Sequence, residues 1–465
     1  MSLLACGDNE EQNGQAGTAG EAGAAGEAGA GAEAGAGGGA AGEAGTGGDA
    51  SSGIAGAGGE AEFEIITGDT EHDSAPDSTE AEIETNQRQN LELTFALNRN
   101  AMPETGNGML SAFSVRQAFS ILYPAARDET QALLAEVIGF DTDIETALKA
   151  VNHAADILES RQLDAEPEYE LEAVQLRTAN AFWGQRGVNW EQDYLDLITT
   201  HLDSGLHVLD FISDPESARA TINAWVEAQT ETRIKDLLPP NSIKSLTRSV
   251  LTNAVYFKAP WAAPFEENLT RDGDFRLEDG STVQVPLMRN ANYFKHTVSD
   301  ELLALEIPFR GGKLAMTLVL PKTQSLAEFE ASLDADKGLQ IVNGLSNDNV
   351  QAVVPKFTFE TTTQLRNPLT AMGLEKIFSS PDFSGMTREI ELVVSDVYHK
   401  TFVALDEGGA EAAAATAIVL DRESAEPTPS AVVAFDQPFI FAIRDRDTGL
   451  ILFLGRVMDP RTDME

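Results

Sequence analysis

Residues 407–424 read EGGAEAAAATAIVLDRES, and this stretch decides how the rest of the chain is interpreted. From Ala410 to Leu420, counted with the period of two of a β-strand, one face carries only uncharged side chains. They are Ala410, Ala412, Ala414, Thr416, Ile418 and Leu420. Glu411 and Asp421 fall on the other face, so the stretch is able to enter a sheet without burying a charge. A helix is the competing interpretation, because alanine has the highest helix propensity.

Other blocks of sequence accompany this stretch in a definite order. They are NGMLSAFSVRQAFSILYPAARDET (107–130), LRTANAFWGQ (176–185), INAWVEAQTETRIKDLL (222–238), LTNAVYFKAPWAAPF (251–265), VPKFTFE (354–360), DFSGM (382–386), VYHKTFVALDEGGAEA (397–412) and the closing QPFIFAIRD and LFLGRVMDP. Together they resemble the serpins, serine protease inhibitors that act through a one-time conformational change, across residues 86–465. Ala112, Pro124 with Ala125, and Ala410 depart from the family pattern, but none adds a charge or a bulky side chain.

The resemblance implies an α+β fold, in which helices pack around a large central β-sheet with smaller sheets beside it. It also implies an exposed reactive loop over about residues 407–431. Hydrophobic periodicity predicts the same class, because helical patterns over residues 114–126, 144–161 and 218–232 precede a C-terminal part rich in strand patterns. Ser114 is the predicted N-cap of the first of these helices.

The first 85 residues differ in composition from the rest of the chain. Residues 7–61 are almost entirely Gly, Ala and Glu without Lys or Arg, and acidic residues such as Asp77 continue up to residue 85. Such a segment cannot bury enough apolar surface to offset the entropy cost of ordering it. We therefore expect a disordered, acidic linker over residues 7–85 and a folded serpin domain over residues 86–465.

Cys6 is the only cysteine of the chain, which excludes an internal disulfide. It follows Leu3, Leu4 and Ala5, an arrangement similar to the end of a bacterial lipoprotein leader, in which the cysteine becomes lipidated. Residues 1–6 would be only a partial leader, since no Lys or Arg precedes the cysteine and the apolar run is short. We expect an extracytoplasmic protein, secreted or lipid-anchored at the bacterial cell surface; an incidental cysteine is the alternative.

Charge excludes several classes of partner. The chain has 75 acidic and 32 basic residues and a net charge of −43. Nucleic acids and anionic membrane surfaces require patches of Lys and Arg, so neither is an expected partner. Residues 156–172, which correspond to the heparin-binding region of some serpins, are acidic here. We therefore expect no heparin-type polyanion cofactor.

Sequence motifs give no support to an enzyme. The six histidines show no HExxH spacing, and the chain has no GxSxG, no GxxxxGK[ST] and no Cys/His metal set. We predict a protein without catalytic residues, metal or cofactor.

The resemblance assigns control of sheet opening to six residues. They are Asn107, Ser111, Ser114, Asn253, Trp261 and His399. His399 is expected to form hydrogen bonds beneath the sheet with Asn107 and Asn253 as neighbours, and Trp261 to lie at the top of the sheet where the loop first enters. A buried histidine without a switching role, and a tryptophan that only packs in the core, are the simpler alternatives.

The resemblance also implies how the loop acts. A serine protease attacks it as a substrate and forms an acyl-enzyme, after which residues 410–423 enter the central sheet as a new strand and trap the attached protease. The native state must be metastable for this to occur. The hinge residues need small side chains for fast insertion, and here they are Glu407, Gly409, Ala410, Ala412, Ala413, Ala414, Ala415 and Thr416.

The choice of target depends on the residue before the cleaved bond. The family spacing from the hinge glutamate, Glu407 here, leads to the bond Glu423–Ser424 and to a glutamate-specific endopeptidase. A register one residue shorter puts Arg422 at the bond and favours a trypsin-like enzyme. A still earlier bond after Leu420 suits subtilisin-like or chymotrypsin-like proteases.

Two other classes of function remain open. Some proteins of this fold inhibit nothing and serve as chaperones, carriers or other binding proteins, although these usually place charged residues, bulky residues or proline in the hinge. A surface-tethered adhesin is the other class, and it requires no alanine hinge. We expect a monomer that inhibits serine proteases.

Overall fold

A computed structural model describes residues 63–74, 76, 78–411 and 428–461. Within these residues the helices are α1 (Glu80–Ala101), α2 (Ala112–Leu122), α3 (Asp128–Ile138), α4 (Ile144–Glu159), α5 (Gln192–Leu202), α6 (Pro215–Gln229), α7 (Leu326–Ala331), α8 (Ala335–Asn343) and α9 (Arg366–Leu369). The strands are β1 (Glu64–Ile66), β2 (Gly108–Leu110), β3 (Gln175–Gln185), β4 (Leu206–Leu209), β5 (Ser249–Pro260), β6 (Arg271–Arg276), β7 (Thr282–Val298), β8 (Leu302–Pro308), β9 (Leu314–Pro321), β10 (Ser346–Pro355), β11 (Phe357–Gln364), β12 (Val397–Leu405), β13 (Gly409–Ala410), β14 (Val432–Ala434), β15 (Phe439–Asp445) and β16 (Ile451–Val457).

In the described part of the chain the strands form two sheets. The central sheet has the order β1-β4-β3-β5-β13-β12-β11. The second sheet has the order β14-β10-β7-β8-β9-β15-β16-β2, and β6 pairs with β7 beside it. Six of the helices precede β5, so helices and strands are largely segregated along the chain. This arrangement confirms the predicted α+β class.

Strands β5 and β12 form the middle of the central sheet. Every residue of β5 except Lys258 is buried, as expected of a strand covered on both faces. Phe257 and Val403, near one end of the two strands, belong to one hydrophobic cluster. Leu251 and Val397, at the other end, belong to a second cluster that includes α2. Hydrophobic core therefore lies beneath the whole length of these two strands.

Helix α2 lies beneath the central sheet and begins one turn earlier than the sequence suggested. Its N-cap is Ser111, whose backbone is extended and whose Oγ accepts a hydrogen bond from the Ser114 backbone N–H at 3.1 Å. The prediction of Ser114 as N-cap is therefore wrong, because the helix already begins at Ala112. The Ser114 side chain is left to interact with the sheet above it.

The folded body begins before residue 86. Strand β1 pairs with the edge strand β4, and Phe63 packs edge-on against Trp183 with 5.3 Å between ring centroids. Thr79 caps α1 and forms a capping box with Glu82. The prediction of a linker over residues 7–85 is thus wrong from Phe63 onward, because apolar side chains attach this segment to the sheet edge.

Candidate functional site

The candidate site is the line along which β5 and β12 meet in the central sheet. The two strands pair in parallel over residues 251–255 and 397–401. Toward the other end, the short strand β13 lies between them and pairs antiparallel with both. The sheet is therefore closed at one end of this line and parted at the other.

Gly409 and Ala410 form the strand that parts the sheet. Ala410 lies opposite Leu405 of β12 and Ala259 of β5, and it is only 2% exposed. Gly409 has a φ of +151°, and a Cβ atom at this position would collide with the Ala259 carbonyl oxygen. Glycine is therefore required for the chain to enter the sheet here.

Trp261 holds the turn that leads into β13. Its backbone N–H donates to the Gly408 carbonyl at 2.8 Å, and its indole Nε1 donates to the Asp406 carbonyl at 3.1 Å. The Asp406 carboxylate accepts hydrogen bonds from the backbone N–H groups of Gly408 and Gly409, at 2.8 and 3.2 Å. The Trp261 ring also stacks on Phe309, with 4.6 Å between centroids. The structure thus places Trp261 at the entry of the hinge.

Glu407 anchors the start of the hinge to the neighbouring elements. Its carboxylate forms an ion pair with Lys356 and accepts a hydrogen bond from Thr270 Oγ1 at 2.7 Å. Burial acts to raise the pKa of Glu407, but the hydrogen bonds from Lys356 and Thr270 outweigh it and hold the pKa below its usual value. The hinge therefore begins at a charge that is held in place.

Glu411 ends the inserted segment. Its backbone N–H donates to the Ala404 carbonyl at 2.7 Å, but its φ of +52° is left-handed and interrupts the strand. The side chain is 9% exposed and pairs with Arg233. Burial raises the pKa of Glu411 in spite of Arg233, so the ionised carboxylate is disfavoured in this position.

His399 links the two strands where the sheet is closed. The Ser111 backbone N–H donates to His399 Nε2 at 3.0 Å, so this nitrogen carries no proton. The ring proton is therefore on Nδ1, which donates to Asn253 Oδ1 across the line between β12 and β5. Burial lowers the pKa of His399 to about 4, and the ring is neutral at neutral pH.

The same hydrogen-bond network continues into β3 and α2. Asn253 Nδ2 donates to Ser114 Oγ at 2.7 Å and to Asn180 Oδ1 at 2.6 Å. Ser114 Oγ in turn donates to Asn180 Oδ1 at 3.2 Å. The structure thus brings His399, Asn253, Ser114 and Ser111 together and connects three strands to the helix below them.

Asn107 lies outside this network. Its Oδ1 accepts from the backbone N–H groups of Met458 and Asp459, at 2.8 and 3.1 Å, and its Nδ2 donates to the Asp459 carbonyl at 2.7 Å. The prediction that Asn107 neighbours His399 is therefore wrong. Its hydrogen bonds are all used to hold the segment that follows β16.

Several predicted residues lie outside the described residues. They are Cys6, the hinge residues Ala412, Ala413, Ala414, Ala415 and Thr416, and the cleavage residues Leu420, Arg422, Glu423 and Ser424.

Four residues of the site escaped the sequence analysis. They are Asn180, Arg233, Thr270 and Lys356. Asn180 is a polar residue between Ala179 and Ala181 and just before the apolar Phe182 and Trp183, and such a position signals a buried hydrogen-bond network. Lys356 is basic in a chain with 75 acidic and 32 basic residues, which marks it as a partner for a carboxylate. Arg233 is basic in the same sense, whereas Thr270 gives no comparable signal.

The described residues contain neither a candidate metal site nor a candidate membrane-spanning helix. In the ranges given above, no group of three or more His, Cys, Asp and Glu side chains is placed to hold a metal ion. No helix in the same ranges combines the length and apolar character needed to cross a bilayer.

Comparison with known proteins gives one consistent result. Residues 85–460 match the family described as "Serpin (serine protease inhibitor)". An uncharacterized serpin-like protein of Thermococcus kodakarensis is 36% identical over 370 residues, which cover 79% of this chain and 84% of the relative.

Solved structures agree with the sequence comparison. The thermophilic serpin tengpin in its native state aligns with a TM-score of 0.72 and 25% identity, covering 85% of this chain and 97% of tengpin. Human thyroxine-binding globulin in complex with thyroxine aligns with a TM-score of 0.71 and 28% identity, covering 82% of this chain and 99% of the globulin. The arrangement of sheets and helices described above is thus the one found in these proteins.

Proposed function

The chain belongs to the serpin family, and from this premise we propose that it traps serine proteases irreversibly by inserting residues 410–423 into its central sheet. The observation that carries the proposal is the position of Gly409 and Ala410, which already pair with both β5 and β12. Any further insertion continues a strand that has begun. It requires no new entry point.

The register of β13 defines where each later residue would lie. Ala410 is opposite Ala259 and Leu405, and the strand is antiparallel to both neighbours. Continued in this register, Ala412 would lie between Phe257 and Val403. Adjacent residues on neighbouring strands point to the same face, and both of these side chains are buried. An alanine between these two residues would fit without displacing the core beneath the sheet.

Thr416 would reach the level at which the sheet is now closed. Continuation of the same register places it opposite both Asn253 and His399. These two side chains now bond to each other across the line between the strands. Between Ala410 and Leu420, Thr416 is the one residue with a polar side chain on the inward face, and its hydroxyl would supply both a donor and an acceptor to the separated pair. The loop therefore carries a hydrogen-bonding group at the position where opening breaks a hydrogen bond.

The length of the sheet matches the proposed cleavage bond. In this register Leu420 would lie opposite Ser249, the first residue of β5. Glu423 would then extend just beyond the end of the sheet. At about 3.3 Å per residue, an acyl group on Glu423 would be carried about 45 Å from the entry point. Such a displacement pulls the oxyanion hole of the attached protease out of register before water hydrolyses the ester.

The free energy for this displacement comes from the new hydrogen bonds. Each inserted residue gains ladder bonds worth about 0.5–1.5 kcal/mol, on the order of 10 kcal/mol in total before entropy costs. This is comparable with the ~5–15 kcal/mol that stabilises a typical fold. Insertion is therefore strong enough to deform a protease that is attached covalently.

A covalent complex that survives denaturing electrophoresis is the test of this function. We expect one with a glutamate-specific serine endopeptidase, and mass spectrometry of the released C-terminal peptide should begin at Ser424. Glu423→Ala should abolish it, while a complex with a trypsin-like protease after Arg422 would survive and would identify the shorter register.

Ala412→Pro is the matched variant for the insertion step, because proline lacks the N–H that a central strand requires. It should keep cleavage and lose the complex. A complex of unchanged yield in this variant would rule out insertion.

A carrier of small apolar ligands is the second candidate. A cavity of about 220 Å³ lies between α1, α8 and strands β9, β15 and β16. Its apolar lining includes Leu91, Phe95, Phe329, Ile440 and Ile451. Thyroxine-binding globulin, which this chain resembles, was solved with thyroxine. If the protein is a carrier, an apolar dye should bind with 1:1 stoichiometry, Ala442→Trp should block it, and no protease should form a complex.

Cys6 is the proposed site of lipidation, which would place the protein outside the cytoplasm. The proposal is supported by the preceding Leu3, Leu4 and Ala5. Metabolic labelling with a fatty-acid analogue should mark the wild type, whereas Cys6→Ser should remain unlabelled. Label on both proteins, or on neither, would contradict the proposal.

A further inference from the structure

A cavity of about 500 Å³ lies away from the line between β5 and β12. Helices α2, α4 and α5 and strand β3 each contribute side chains to its wall. The segment that precedes α1 completes the wall through His72 and Ser74. The cavity is therefore formed between the central sheet, the helices beneath it and the N-terminal segment.

The N-terminal segment is attached to two of these helices by hydrogen bonds. The backbone N–H of Gly68 donates to Thr199 Oγ1 at 2.8 Å, and that of Asp73 donates to the Thr200 carbonyl at 2.8 Å. Asn152 Nδ2 of α4 donates to the Asp73 carbonyl at 2.7 Å. This segment precedes residues 85–460, over which the chain matches its family. Part of the cavity wall therefore lies outside the range that the family model matches.

Two polar atoms in the wall are buried without a partner. His201 is 6% exposed, and among the described residues its Nδ1 forms no hydrogen bond. Asp156 Oδ2 is likewise buried and has no partner in the same part of the chain. Burial lowers the pKa of His201 and raises the pKa of Asp156. Polar atoms buried in this way are normally hydrogen-bonded, so both indicate that a donor belongs in the cavity.

The charge of the wall indicates what kind of donor fits. Asp156 and Glu159 of α4 and Asp203 after α5 line the cavity, and the described lining residues include no lysine or arginine. A neutral His201 protonated on Nε2 presents Nδ1 as an acceptor. The wall therefore offers several hydrogen-bond acceptors and an excess of negative charge.

We propose that this cavity binds a small aliphatic amine through its protonated primary amino groups. A primary ammonium carries a positive charge and three N–H donors, which match the carboxylates and the free acceptor atoms of the wall. A cation without N–H donors satisfies the charge but leaves Asp156 Oδ2 and His201 Nδ1 unpaired. Hydrogen bonding, in addition to charge, therefore makes the cavity prefer a primary ammonium to a cation without N–H donors.

The cavity is connected to the line along which the sheet opens. Asn180 of β3 lines the cavity and also accepts the hydrogen bond from Asn253 at 2.6 Å. β3 pairs with β5 from Gln175 to Gly184, so we expect β3 to shift relative to α4 when β5 parts from β12. An amine that bridges β3 and α4 opposes this shift. The second part of the inference rests on the proposed function, and it predicts that the amine slows protease trapping.

Calorimetric titration with spermidine at physiological ionic strength tests the site. We expect saturable binding at one site per chain, at least tenfold weaker in Asp156→Asn and unchanged in Asp300→Asn. Asp300 is exposed on a turn outside the cavity. Its variant therefore lowers the net negative charge of the protein by the same amount without changing the cavity. Tetramethylammonium, which lacks N–H donors, should not bind at this site. Ala155→Phe is a second variant, which fills the cavity and leaves every carboxylate in place.

The outcomes separate the site from the proposed function. Spermidine binding that is nonsaturable, or equally strong in Asp156→Asn and Ala155→Phe, overturns the site even if the protein traps proteases normally. Binding that depends on Asp156, in a protein that traps no protease, supports the site and removes the proposed function. If trapping occurs, spermidine should reduce its rate in the wild type and leave the Asp156→Asn rate unchanged. An unchanged wild-type rate overturns the link to sheet opening.

Discussion

Gly409 is the residue at which the hinge depends most strictly on backbone geometry. A Cβ atom at this position would collide with the Ala259 carbonyl oxygen and with Pro260 Cα, both of which are backbone atoms of a buried strand. Neither is able to move without distorting β5. The seating of Gly409 and Ala410 in the sheet therefore requires glycine, and any side chain should displace them.

We therefore expect Gly409→Ala to release the hinge from the central sheet. Hydrogen exchange should become faster in peptides covering residues 404–411, because the Glu411 N–H loses its acceptor, the Ala404 carbonyl. Trp261 fluorescence should shift to the red as its indole loses the Asp406 carbonyl. Gly280→Ala is the matched control, since Gly280 also has a positive φ but no heavy atom near the added Cβ. Equal exchange in the two variants would show that the hinge is not held by Gly409.

His399 should make stability depend on pH. Burial lowers its pKa from 6.5 to about 4. Between these values the unfolded chain binds a proton that the folded chain does not, so stability falls as the pH falls from 6.5 to about 4. The full effect is about 3 kcal/mol. In His399→Gln the loss of thermal midpoint between pH 7 and pH 5 should be smaller than in the wild type.

His207→Gln is the control for this prediction. Burial also lowers the pKa of His207 to about 4, but His207 contacts Phe63 and Trp183 and takes no part in the Asn253 network. Both variants should reduce the pH dependence of the midpoint, whereas only His399→Gln should change the rate of protease trapping. Equal trapping rates in the two variants would remove the role of His399 in sheet opening.

At the scale of residues, the sequence predicted which side chains face the interior better than it predicted the residues that they contact. The inward face of Ala410 follows from period two alone, and Ala410 is indeed buried. Its seating between Ala259 and Leu405 does not follow from period two, because the pairing depends on strands far away in the chain. Asn107 and Asn253 were both predicted to be neighbours of His399. In the structure Asn253 bonds to His399, whereas Asn107 bonds to Asp459.

At the scale of elements, the strand over residues 64–66 shows the same limit. A composition rich in Gly, Ala and acidic residues is a guide to disorder only where no apolar residue finds a partner. Phe63 and the β1 strand lie at the end of such a segment, yet they extend the edge of the central sheet beyond β4. A short apolar motif is sufficient when an exposed sheet edge accepts it.

Removal of this strand should destabilise the folded body. A chain that begins at residue 69 lacks Phe63 and β1, and it should lose several degrees of thermal midpoint because Trp183 and β4 become exposed. The matched control begins at residue 63 and keeps these contacts. Both truncations can be compared with the full chain by circular dichroism. If all three midpoints coincide, the edge strand contributes nothing to stability.

At the scale of the whole molecule, the central sheet can accept a longer strand between β5 and β12 than the one it now holds. The central sheet holds a two-residue strand at a position where β5 and β12 would pair with a longer one. Glu411 departs from strand geometry immediately after it, with a φ of +52°. The carboxylate of Glu411 is also disfavoured where it lies, since burial raises its pKa. Full insertion would relieve both features, which is what a metastable native state requires.

The thermal stability of the cleaved molecule measures directly the free energy that insertion of the loop would release. If a protease cuts the loop and the freed strand enters the sheet, the gain on the order of 10 kcal/mol should raise the thermal midpoint by about 10 °C or more. In Ala412→Pro the cleaved chain lacks an N–H at the level of Phe257 and Val403, so its midpoint should stay near that of the uncut form. Because this comparison needs only a nicked loop, it tests the sheet separately from the choice of protease. Coincident melting curves for cut and uncut wild type would mean that the parted sheet stores no free energy, and trapping by insertion would then have no driving force.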